Sequence, residues 1–219
     1  MTARLFRWPD AAAFGRTVPK TKFYEHGNVR SALRERFVND VQRVTWAFKL
    51  ADSTIKLRGS TAVPEIQVFA VEAKGDDVDG SVLAAVDKSV HFPVVFEVRG
   101  GNRDRIRMVA AQKSLGGVKP SLGPYLSTGW LSADLPRAPL PVAIDLPSLY
   151  EALLASLLPL VPRRGESVSQ VTDRMGLVRK LEREISALEK KLRTELQFNR
   201  KVELLRMLKA KEAELVELT

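Results

Sequence analysis

The chain contains no cysteine. Disulfide frameworks, thiolate zinc sites and a cysteine nucleophile are therefore excluded. Histidine is nearly absent: His26 and His91 are the only two. They are too few for a histidine-rich metal centre, and each reads as a surface or loop residue. No glycine-rich loop runs into Lys-Ser or Lys-Thr, and no dinucleotide glycine fingerprint occurs, so neither phosphate-cradling motif is available. Long apolar runs are missing as well. The longest, Leu149 to Val161, is interrupted by Glu151 and Pro159 and is too short to span a bilayer. The stretch Met1 to Pro9 lacks the apolar core of a signal peptide. The expectation is a cytoplasmic protein without a membrane segment. Ser53-Thr54-Ile55-Lys56 fits the serine–lysine spacing of some hydrolases, but no second motif accompanies this short, common string.

What the chain does carry is positive charge. Its 219 residues have a formal net charge of +9 with 28% charged and 45% hydrophobic residues, a globular composition. The excess is uneven. Residues 1–60 hold 12 Arg and Lys against 5 Asp and Glu, residues 61–165 hold 11 of each, and residues 166–219 hold 12 against 10. A basic excess gathered in one segment points to an anionic partner, of which nucleic acid is the commonest. The alternative is a solvated basic surface.

The pattern divides into an α/β core over residues 1–161 and a helical tail over residues 166–219. Asn28 is placed to cap a helix running to about Arg43, with Val29, Leu33, Phe37, Val41 and Val44 at helical spacing. Val44 to Leu50 is rich in strand formers, although the helix could continue into it. Thr54 to Leu57 reads as a short strand and Glu65 to Lys74 as the clearest one. A helix over Ser81 to Lys88 precedes a buried-type strand from Phe92 to Arg99, which turns at Gly100-Gly101-Asn102 into Arg105 to Gln112 as a hairpin. Pro120 to Pro124 is loop, and Tyr125 to Ser132 is the last strand. Leu135 to Pro147 is proline-rich and extended, and a helix from Ser148 ends near Leu158. In the tail, Leu181, Ile185, Leu188 and Leu192 form a seam for another helix. The pattern falters at Thr194 to Arg200, so an antiparallel hairpin with its corner at Gln197-Phe198-Asn199 is favoured over one long coiled-coil helix, with Asn199 suited to a left-handed turn. The tail could also join copies of the chain.

Glu72 and Lys74 stand out at the end of the clearest strand. Side chains two apart share a face, and two charges there are costly unless paired, solvated or used. The order of strands, a strand ending in Glu-x-Lys, helix and strand is similar to the core of restriction-endonuclease-like nucleases. In those enzymes the Glu and an upstream acid hold a divalent metal, and the Lys assists at the phosphate. Here Asp52 would be that acid, and magnesium the metal suited to the carboxylates. Glu65 is the alternative acid, but it points to the other face. Against this stands a plain salt-bridged strand end, and no Pro-Asp precedes the motif.

A second resemblance covers most of the chain. The strings Phe14 to Tyr24, Val41 to Leu50 with Trp46-Ala47-Phe48-Lys49-Leu50, Glu65 to Phe69, and Gln197 to Leu204 resemble an uncharacterised bacterial domain-of-unknown-function family. Members of that family tend to be encoded beside helicases of the Swi/Snf or type III restriction kind and beside DNA methyltransferases. The resemblance implies a part in anti-phage defence, with a helicase and a methyltransferase as partners. Its pattern does not reserve an acid at position 52, or always at position 72.

The expected architecture is therefore α/β in the α+β sense: a mixed sheet flanked by helices, with a restriction-endonuclease-like order and a helical tail. The leading function is an accessory subunit of a DNA-targeting defence system that holds nucleic acid or a helicase. A magnesium-dependent nuclease using Glu72, Lys74 and Asp52 stands second, and a purely structural adaptor third. In the leading reading no cofactor is needed. Lys20, Lys22, Tyr24, Arg30 and Arg34 are the expected nucleic-acid contacts, because ammonium groups beside aromatic rings supply phosphate attraction and base stacking.

Overall fold

Ile66 to Ala73 is apolar or uncharged at every position but Glu72, and six of its eight residues are buried. A strand buried on both faces belongs in the middle of a covered sheet. The computed structural model, which describes residues 4–27, 31–115, 120–160 and 162–219 (side chains of 24–27 excepted), places it there. The chain forms two compact units, residues 1–159 and 160–219.

In chain order, the first unit holds a short 3₁₀ turn, β1 (Ala13–Thr17), α1 (Lys20–Gly27), α2 (Ser31–Asp40) and β2 (Val41–Leu50). Then come a single helical turn α3 (Asp52–Ile55), β3 (Ile66–Ala73), α4 (Gly80–Ser89), β4 (Val94–Arg99), β5 (Arg105–Ser114), β6 (Ser121–Ser127), β7 (Leu131–Ser132) and α5 (Leu146–Ser156). The strands make one mixed sheet in the order β1-β2-β3-β4-β5-β6, with β7 also on β5. β1, β2 and β3 are antiparallel neighbours; β4 runs parallel to β3. The parallel step needs a crossover, which α4 supplies. Asp79 caps α4 by accepting from the Ser81 N–H. One sheet face packs on α1, α2 and α4 through Phe23, Phe37, Phe69, Val71, Val82 and Phe96. Val68, Val95 and Met108 alternate with these and are buried on the other face.

Several expected boundaries change. α2 stops at Asp40, and Val41 and Val44 belong to β2. A bulge between Val41 and Arg43 lets both valines enter one core, so a bulged strand mimics the three-residue spacing of a helix. Thr54 to Leu57 is not a strand. The Thr54 hydroxyl donates to the Lys49 and Ala51 carbonyls and closes a helical turn. The last long strand starts at Ser121 and includes Pro124 rather than beginning at Tyr125. It sits at the sheet edge, where a missing N–H costs least. The Asn28 cap and Val29 lie outside the described residues.

The second unit is a helical hairpin, α6 (Val168–Thr194) and α7 (Phe198–Leu218). Ser167 and Gln170 form a capping box at its start. The helices run antiparallel, since Arg174 donates to the Leu218 carbonyl at 2.7 Å and Lys211 meets Glu184 at 3.1 Å. The corner is Glu195 to Gln197, where Glu195 is extended and its carboxylate accepts from the Leu196 and Gln197 N–H groups. Asn199 is already helical, so no left-handed asparagine is used. Arg174 and the Arg163 N–H hold Glu166 down to a pKa of about 2. Among the described residues, no helix is long and apolar enough to cross a membrane.

Candidate nucleic-acid interface

The carboxyl end of β3 opens into a cleft of about 350 Å³. Thr17 to Lys20 come from the end of β1 and start of α1, Gln42 and Arg43 from β2, Glu72 from β3 and Arg103 from the β4–β5 turn. Register sets out its charges. Arg43 is the partner of Glu72 across the antiparallel pair, and Arg99 is its partner across the parallel pair. The three therefore stand abreast on one face of the sheet. Arg43 donates to Glu72 Oε1 through both Nε (3.0 Å) and Nη2, and Arg103 Nη2 donates to Oε2 at 3.2 Å. Both carboxylate oxygens are engaged.

Arg103 reaches Glu72 because its turn is pressed onto the end of β3. The Gly101 N–H donates to the Gly75 carbonyl at 2.8 Å. A Cβ at Gly101 would stand 2.6 Å from the Lys74 carbonyl oxygen, so only glycine fits this approach. Arg103 itself has φ of 63°, the left-handed region that costs a branched or bulky side chain most.

Two ammonium groups meet the end of α2. Lys74 Nζ donates to the Val38 carbonyl at 2.7 Å, and Lys20 Nζ donates to the Val41 carbonyl. The C-terminal end of a helix attracts cations. Burial, and then the neighbouring Lys74 charge, push Lys20 below the ordinary lysine range.

Of the expected catalytic set, Glu72 is in the cleft and Lys74 lies beside it, but Glu72 pairs with arginines and not with Lys74. Asp52 opens α3 next to Leu50, whose partner is Ile66. Glu72 lies six strand steps beyond Ile66, roughly 20 Å at the strand rise. Asp52 and Glu72 therefore do not converge. Glu65 is at that far end too, held by Lys49 at 2.8 Å and Gln67 at 2.6 Å. Asp76, Asp77 and Asp79, which follow β3, are paired with Arg105, Arg107 and Arg36. Among the described residues no three His, Asp or Glu side chains gather to hold a metal. A magnesium site built on Glu72 and Asp52 does not fit this arrangement.

Of the expected nucleic-acid contacts, Lys20 lines the cleft. Lys22 lines a separate apolar groove, and Arg34 is exposed on α2. The Tyr24 side chain and Arg30 lie outside the described residues. The Lys20 to Tyr24 segment lies in helix α1. Arg43 and Arg103 are the cleft residues that sequence reasoning missed. Each lies about thirty positions from Glu72, and only strand register and the Gly101 contact bring them to it.

A second polar centre is structural. Lys113 and Asp87 form an ion pair at 2.5 Å with both side chains fully buried. Lys113 Nζ also donates to the carbonyls of Asp87, Val90 and Phe92 at 2.7–2.9 Å, which ties the end of α4 to β5. Tyr125 donates to Asp87 at 2.8 Å and Tyr150 to the Ala111 carbonyl at 2.6 Å. Burial raises Asp87 and lowers Lys113, each against the opposing pull of its partner. The Lys113–Asp87 pair is closed to solvent, and the cluster's donors and acceptors serve packing.

Residues 6–215 match the family model described as "Domain of unknown function (DUF4391)", and the chain belongs to that family. No curated protein matches the chain. No solved structure matches it.

Proposed function

We propose that this family member grips the phosphate backbone of nucleic acid in the cleft at the end of β3, as a non-catalytic accessory subunit. We further propose that it serves a bacterial DNA-targeting, anti-phage system beside a helicase and a DNA methyltransferase. That setting rests on the family resemblance, and the contact chemistry rests on the cleft. The observation that carries the reading is Glu72, the one carboxylate among the described residues that line the cleft, already neutralised by Arg43 and Arg103. Lys20, Arg43 and Arg103 outnumber it, so the cleft offers net positive charge to an anion. Guanidinium groups suit phosphate because they bind it through paired N–H donors.

Fluorescence anisotropy with labelled DNA across a salt series tests this reading. Log K should fall linearly with log salt, by about 0.9 per neutralised phosphate on duplex. The triple change Lys20→Ala, Arg43→Ala and Arg103→Ala should weaken binding at least tenfold at low salt and flatten the slope. Absence of measurable binding to DNA or RNA at low salt would overturn it.

One observation favours a metal-dependent nuclease as the second reading. β2 and β3 are antiparallel, β3 ends in Glu-x-Lys, and α4 crosses to a parallel β4, the order that the nuclease core uses. Purified protein with magnesium or manganese, alone or with the helicase, is expected to leave DNA uncut. Metal-dependent cleavage that Glu72→Ala abolishes would make the nuclease the answer.

A further inference from the structure

A groove of about 280 Å³ lies on the helix-covered face of the sheet. Trp46 of β2 with Gln67 and Phe69 of β3 form its floor. Lys22 of α1 stands on one side, and His91 and Phe92 of the α4–β4 link stand on the other. Trp46 and Phe92 are half-buried, while Lys22 and His91 are exposed. Among the described residues, no carboxylate lines the groove.

Trp46 is held by its neighbours. The Trp46 indole N–H donates to the Phe48 carbonyl at 3.1 Å. Its ring stacks on Phe69 at 6.1 Å with an 11° interplanar angle, and Phe14 packs on it at 4.1 Å. The Arg16 guanidinium covers Phe14 at 4.7 Å. Such fixed aromatic surface opening to solvent beside cations is the chemistry that single-stranded nucleic acid uses, because every base has a π-face and every linkage a charge. The groove also adjoins the proposed phosphate cleft. Val18 lines both, and α1 sends Lys20 to the cleft and Lys22 to the groove.

We infer that the groove takes an unpaired nucleobase, and that the protein's ligand is single-stranded nucleic acid whose backbone crosses the cationic cleft. This deepens the proposed function and rests on it. Charge complementarity selects this occupant, because an aromatic base linked to phosphates satisfies the apolar groove and the cations beside it at once. A duplex keeps its bases stacked and cannot fill the groove without unpairing one. Gln67, whose amide makes one bond to Glu65, gives the floor a polar group with hydrogen-bonding capacity for a base edge.

The experiment compares affinities of the full-length protein for four labelled probes by anisotropy. They are an oligothymidylate, an oligouridylate, an abasic strand with the same number of phosphates, and a duplex of the same length. Both intact single strands should bind about tenfold or more tighter than the abasic strand, the scale of base–aromatic stacking. Preference for one sugar identifies DNA or RNA as the source, and base dependence with either supports the inference. Phe92→Ala should erase the gap between intact and abasic strands while leaving abasic affinity unchanged, and Phe92→Tyr should restore it. Circular dichroism controls for folding, and the wild-type comparison stands even where a variant is unstable. Equal affinity for intact and abasic strands overturns the inference but leaves the phosphate cleft standing, with the groove then serving an apolar ligand or a peptide. A duplex bound as tightly as the single strands also overturns it. Failure of all four probes at low salt overturns both readings.

Discussion

Glu72 is the residue at which the two functional readings part, because they predict opposite signs for one substitution. In the cleft as built, its carboxylate cancels part of the charge of Arg43 and Arg103. Glu72→Gln removes that competitor and frees both guanidinium groups for phosphate, so nucleic-acid affinity should rise severalfold at low salt, and less at high salt as screening grows. The anisotropy titration that defines the wild-type salt slope measures this directly. In a nuclease the same change would remove a metal ligand and lose cleavage. A drop in affinity would mean that Glu72 positions the arginines more than it competes for them. The stability cost should be small, since both arginines are half-exposed or more and such pairs contribute about 0–1 kcal/mol. The sequence did show that Glu72 lies in a strand and that its charge needs an explanation, because a period of two is local information. Its partners were not legible. Arg43 is 29 residues away and Arg103 is 31, and both pairings are products of register and turn docking.

Among the elements, the β4–β5 turn is the one that carries Arg103 to the cleft. Its Gly-Gly pair reads as a turn from sequence alone, but a turn signal does not say what the turn rests on. The close approach of Gly101 to the Lys74 carbonyl supplies that information, and Gly101→Ala tests it. The new methyl would overlap backbone oxygen at 2.6 Å, and neither partner is a flexible side-chain end. The turn must lift, at a cost of about 1–3 kcal/mol by analogy with other overpacked sites, and Arg103 must lift with it. Urea denaturation should report the loss of stability, and the DNA titration a weaker complex. Gly75→Ala provides the control, since a Cβ there meets nothing within 4 Å. Elements with strong local patterning were legible: β3, α4 and β4, and the α6–α7 hairpin, whose corner showed as a break in the seam. Those built on an irregularity were not. The bulge at Val41/Arg43 gave a strand the spacing of a helix, and Thr54 closed a turn through its hydroxyl where the β-branched pair Thr54-Ile55 suggested extension.

At the scale of the whole molecule, the basic excess of residues 1–60 becomes part of a surface. Lys20 and Arg43 come from that segment, yet Arg103 comes from the electrically neutral middle of the chain, so a segmental count locates only part of the cleft. Every residue of the cleft and of the aromatic groove belongs to the unit of residues 1–159. A chain ending at Pro159 should therefore fold, because the sheet and the helices α1 to α5 all precede that point and α4 is anchored by Lys113 from within the unit. Its circular dichroism should show a cooperative thermal transition, and its affinity for single-stranded DNA should stay within about threefold of full length at moderate salt, where screening mutes the removed segment's excess of 14 Arg and Lys over 10 Asp and Glu. An unfolded truncation would mean that the hairpin completes the core. A folded truncation that no longer binds would move the interface to the hairpin. Light scattering adds a separate readout. α7 buries none of its residues, and Leu196, Phe198, Met207 and Val216 are exposed, so we expect the full chain to self-associate through the hairpin and the truncated chain to run as a monomer. Equal behaviour of the two would leave the hairpin to a different partner while the binding core keeps its activity.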